Sequence, residues 1–159
     1  MAEEKHKNLD FLQVDDFHIA VVKPTAFDGA TLNARGNDGG TSDPFTLFNV
    51  TGDVLVRIFG VCTASLTGAT ATISVGVEGN TAGLIALETA TEIDANGIYL
   101  SATQVSGVVL LATVPGPFVI VNGLDIIETV ATADIETGNV YYICLWRPMS
   151  DTGFVEAAV

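Results

Sequence analysis

Apolar residues in this chain come in short runs, and turn residues break the runs at intervals of about ten positions, the rhythm of a protein built from strands. The clearest period of two lies at Thr70–Val77: Thr70, Thr72 and Ser74 fall on one side, Ala71, Ile73, Val75 and Val77 on the other. From Val54 to Cys62 the alternation sets Val54, Val56 and Ile58 against Leu55, Arg57 and Phe59, which predicts a strand largely covered on both faces. Val140–Trp146 (VYYICLW) is apolar on both sides. In an antiparallel sandwich that means a central strand covered by a second layer or by a neighbouring subunit. Further strands are predicted at Phe17–Lys23, ended by Pro24, and at Phe45–Val50, Leu84–Glu88, Gly97–Ser101, Gly107–Thr113, Phe118–Val121 and Asp125–Ala131, the last strand continuing to Arg147.

Turn chemistry separates these runs at Thr51-Gly52-Asp53, Glu78-Gly79-Asn80, Asp94-Ala95-Asn96-Gly97, Pro115-Gly116-Pro117, Asn122-Gly123 and Thr137-Gly138-Asn139. The Ala/Thr/Gly-rich stretch Thr63–Thr72 reads as a hairpin connection. No βαβ rhythm is visible, so the fold class is all-β: an antiparallel β-sandwich or jelly roll of about eight to ten strands. The β domain occupies residues 17–159. Residues 1–16 are polar and read as an N-terminal arm whose Leu9, Phe11 and Leu12 are candidates for contact with the body or a partner. The Gly/Asn/Asp-rich segment 25–44 is long for a plain connection, which predicts a functional or mobile loop. Any helix is expected in the arm or in that loop.

Charge narrows the function classes. Six Lys and Arg against 19 Asp and Glu give a net charge of −13. That surface repels phosphate backbones and anionic lipid headgroups, so neither nucleic acid nor membrane is an expected partner. Mean hydropathy is +0.46, high for a soluble chain, yet no apolar stretch approaches the ~18 residues of a spanning helix. The opening MAEEKHKNLDF lacks an apolar signal core, so the protein is expected to be made in a cytoplasm. Cys62 and Cys144, inside apolar runs, then read as buried free thiols.

Between Arg57 and Arg147 there is no Lys, Arg or His, while eight carboxylates lie in the interval. General bases, phosphate clamps and imidazole ligands are thereby absent from the regular part of the chain. His6 reads as solvated and His18 as a half-buried, hydrogen-bonded imidazole at the start of a strand. Two histidines without nearby cysteines make no zinc site, and no Gly-x-Ser-x-Gly elbow is present. Asn37–Asp43 offers oxygen ligands and glycines, but without the closing Glu of a calcium loop it reads as solvated. Glu88, Glu92 and Asp94 are close in sequence, but the aromatic platforms a sugar site needs are few, since Tyr141, Tyr142 and Trp146 belong to an apolar strand. No catalytic, cofactor-binding or metal-binding residue is therefore assigned, and the chain is not expected to be an enzyme.

The segment from Phe45 to Trp146, with its TGDV opening, Gly-punctuated Thr/Ala hairpin, SVGVEGNT turn and TATEIDANG stretch, resembles small virion proteins of tailed bacteriophages. The resemblance implies a non-enzymatic, cofactor-free capsid decoration (cement) protein. Its partners would be the major capsid protein and its own copies, as a trimer, with the N-terminal arm engaging the shell at the virion surface. A glycan-binding sandwich at a tail or fibre tip is the alternative reading.

Overall fold

The computed structural model describes residues 17–100 and 116–158. The arm with Leu9, Phe11 and Leu12, and the predicted strand Gly107–Thr113, lie outside the described residues. Ten strands follow in chain order: β1 (His18–Val22), β2 (Phe45–Thr51), β3 (Val54–Thr67), β4 (Thr72–Val77), β5 (Asn80–Thr89), β6 (Ile98–Tyr99), β7 (Phe118–Ile120), β8 (Ile126–Ala131), β9 (Thr137–Pro148) and β10 (Phe154–Ala157). They form two antiparallel sheets. The first runs β1-β9-β3, with β6 and β7 sharing the far edge of β3; the second runs β10-β2-β8-β4-β5. The all-β architecture expected from the periodicity is what the chain adopts.

Each strand turns one side chain set toward the other sheet, so the core lies between the two layers. From the first sheet come Val22, Val54, Val56, Ile58, Val140, Tyr142 and Cys144; from the second come Phe48, Ile73, Val75, Ile85, Ile126 and Val130. Tyr99 and Tyr142 meet edge to face, 6.5 Å between ring centres, over Gly60, where a Cβ would come within 3.1 Å of the Tyr142 ring. Trp146 packs edge-on to Phe154 at 5.3 Å, across the corner where the two sheets adjoin.

The loop from Thr25 to Pro44 is tied into the core. Arg35 is buried and forms a bidentate pair with buried Glu128 of β8, Nε to Oε1 at 2.8 Å and Nη2 to Oε2 at 2.6 Å. The Tyr142 hydroxyl donates to the same Oε2 at 2.6 Å. Arg35 also donates to the carbonyls of Thr25 (2.8 Å) and Val140 (3.3 Å), and the Phe27 ring lies 3.8 Å from its guanidinium carbon. Burial alone would lower the Arg35 pKa, but Glu128 and Tyr142 outweigh it and hold the guanidinium above its ordinary value. Backbone bonds clamp the loop along its length: Phe27 N–H to Gly138 O, Gly29 N–H to Ile135 O and Ile135 N–H to Gly36 O. Gly36, at φ 101°, permits the sharp path beside Arg35, a conformation that side-chain-bearing residues rarely adopt.

Several expected boundaries shift. The connection placed at Thr63–Thr72 is strand as far as Thr67, and Thr137-Gly138-Asn139 opens β9 rather than turning the chain, because Thr67 and Thr137 pair at the end of the longest ladder. Strand β10 was not anticipated; its short FVEA run acquires its strand partner only through β2. No α-helix occurs among the described residues, and a single 3-10 turn, Ala90–Glu92, lies outside both segments where a helix was expected.

Cys62 and Cys144 are both buried and unbridged. Cys62 pairs with Val140 and Cys144 with Ile58, so the two are offset by four positions along adjacent strands. That is about 13 Å, well beyond the reach of a disulfide.

Two predictions follow from the core. Removing one partner of the buried pair, by Arg35→Met or Glu128→Met, strands the other charge and should cost about 3–5 kcal/mol in urea unfolding. The double substitution should cost clearly less than the sum. The second concerns alkali. Burial raises the thiols of Cys62 and Cys144 from 9.0 to about 11 and about 12, and pushes Tyr99 and Tyr142 well above 10.0. The native state thus keeps protons that the unfolded chain has lost, so stability should be level below pH 9 and fall steadily between pH 9 and 12 in melts recorded by circular dichroism.

Candidate functional site

The side chains on the far side of the first sheet point away from the core, and the register arranges them in four rows. Phe17 lies toward Arg147, which pairs with Leu55 and then Val119. Next come Ile19, Leu145 and Arg57, then Val21, Ile143 and Phe59. The last row is Lys23, Tyr141, Val61 and Ile98. Strand alternation places these residues together: the inward partners Val22, Tyr142, Cys144 and Ile58 require the intervening residues to face outward.

The result is an apolar face that no second layer of described residues covers. Ile19 is 68% exposed, Val119 56% and Val21 41%, while Leu145, Ile143 and Phe59 in the middle are half-buried by their neighbours. Scattered exposed apolar residues are ordinary, but a contiguous sheet of them marks an interaction surface.

Its charge is as distinctive as its apolarity. The described residues include 14 Asp and Glu, none at these positions, and four Lys and Arg. Arg35 is spent on Glu128; the other three, Lys23, Arg57 and Arg147, all stand on this face. Arg57 and Arg147 lie 5.4 and 5.7 Å from the Phe17 ring, and Lys23 lies 5.6 Å from the Tyr141 ring. The Arg57 Nε is buried without a hydrogen-bond partner. These cations rest on aromatic rings, which suits them to meet carboxylates from outside.

Other candidates dissolve into structure. In Asn37–Asp43 the oxygen atoms hold the loop together. Asp43 accepts the N–H groups of Val130 (3.0 Å) and Gly39 (3.4 Å), and Asn37 donates to the Gly29 carbonyl and to Asp134. Among the described residues no three His, Cys, Asp or Glu converge as metal ligands. His18 is exposed rather than half-buried, its ring 4.6 Å from that of Trp146. Trp146 and Tyr142 are core residues as expected, but Tyr141 belongs to the outer face. Glu92, the last residue of the 3-10 turn, is exposed. A shallow hollow of about 210 Å³ between β4–β5 and β7 is lined by Val77, Leu84, Phe118, Ile120 and Leu124, with no ionisable side chain.

The sequence pattern did signal two-sided strands at Val54–Cys62 and Val140–Trp146. It did not reveal that Lys23, Arg57 and Arg147 share a face, because that depends on β1 and β3 flanking β9. Comparison with protein-family models, curated proteins and solved structures finds no match for this chain.

If this face is built for contact rather than stability, Val21→Asp should leave the monomer's unfolding free energy within about 0.5 kcal/mol, as surface changes do, and half-buried Ile143→Asp should cost about 1 kcal/mol with folding still cooperative. Val140→Asp, one strand position from the same face but inward, should prevent cooperative folding; thermal melts of the three variants compare them directly.

Proposed function

We propose that this chain is a non-enzymatic structural subunit of a larger particle, attached through the outer face of the first sheet. The observation that carries the reading is that face: apolar, free of carboxylates and bearing three cations on a chain of charge −13. Three of the four described cations on a sheet face that no described residues cover, with the polar loop 25–44 bracing the fold, suit a chain organised for assembly. The particular form we propose is a capsid decoration protein of a tailed bacteriophage, bound to the major capsid protein and to other copies at the virion surface. That form rests on the resemblance of the Phe45–Trp146 segment. A glycan-binding tail module is less well supported, because the single tryptophan, Trp146, is 6% exposed and packed against Phe154.

Immunogold labelling of particles purified from the producing culture tests this reading. Label on the head surface is expected, and it should vanish when the culture carries Ile143→Asp. Label confined to tail tips, or absent from every particle, overturns the decoration assignment.

A further inference from the structure

We infer that the outer face of the first sheet takes a second copy of this chain in a head-to-tail contact, and not in a symmetric face-to-face one. The inference rests on the assembly reading above and adds the occupant and the geometry. A two-fold contact would lay the face against itself, setting Arg57, Arg147 and Lys23 against a surface that bears the same cations and, among the described residues, no carboxylate. Like charges so placed in a partly desolvated interface repel. The rest of the described surface carries the acids. Apart from buried Glu128, the described carboxylates lie in turns, at strand ends and on the second sheet, with Asp28, Asp38, Glu78, Glu92, Asp125, Glu136, Asp151 and Glu156 exposed. An acid-bearing surface of a second copy therefore brings carboxylates to Arg57, Arg147 and Lys23, while Ile19, Val21, Ile143 and Val119 supply the apolar area. The contact is heterologous, so it closes into a ring or continues as a filament.

Sedimentation of the full chain at tens of micromolar, together with native mass spectrometry of mixtures, decides the geometry. The wild-type chain should associate, and Lys23→Glu and Arg57→Glu should each weaken association at least tenfold while leaving circular dichroism unchanged. Mixing wild type with Arg57→Glu separates the two geometries. Head-to-tail contact predicts mixed assemblies weaker than wild type alone. Mixed dimers tighter than either parent would overturn the inference, because they require Arg57 to face its own counterpart. A wild-type chain monomeric at these concentrations also overturns it, yet leaves the proposed role standing if head labelling still depends on Ile143.

Discussion

The bidentate contact between Arg35 and Glu128 holds together parts of the chain that lie far apart in sequence. Glu128 projects from β8 into the space between the sheets, where an isolated carboxylate would be strongly disfavoured. Arg35 meets it from a long loop, and Tyr142 completes it from β9. One charge cluster thus joins both sheets to the segment 25–44. Such a pair adds little over a well-packed apolar core, but once present neither member is dispensable. It also fixes which way the loop folds: Arg35 has to reach Glu128, Phe27 closes over it, and the Gly29 and Gly36 backbones dock on the segment leading into β9.

That anchoring has a consequence for the opposite side of the molecule. Tyr142 points inward to Glu128, so its neighbours Tyr141 and Ile143 face outward, and the register with β1 and β3 extends the same choice across the sheet. A slip of one residue would carry Arg57 and Arg147 into the core and bring Ile58 and Trp146 to the surface. The buried pair and the outer face are therefore two sides of one register, the first holding it and the second displaying it.

The distribution of charge then makes sense as a division of labour. The described acids occupy turns, strand ends and the second sheet, away from the outer face of the first. Three of the four described cations are held on aromatic rings at one face, an arrangement that under the proposed assembly favours one kind of approach over others.

Strand positions, the all-β class and the two-sided character of β3 and β9 were legible in the sequence, because period-two alternation and Gly/Asn turns are local properties. So were the buried thiols, since Cys62 and Cys144 sit within apolar strand-like runs. Tertiary structure decided the rest. Arg35 looked like one polar residue in a Gly-rich loop, and its partner Glu128 lies 93 positions away, a pairing no local pattern encodes. The short β10 became a strand only because the β2 edge offered hydrogen bonds. Lys23, Arg57 and Arg147 came to one face through strand order, which joins residues far apart in the chain; the sequence by itself settled which side of each strand they occupy, and the fold settled that those sides coincide.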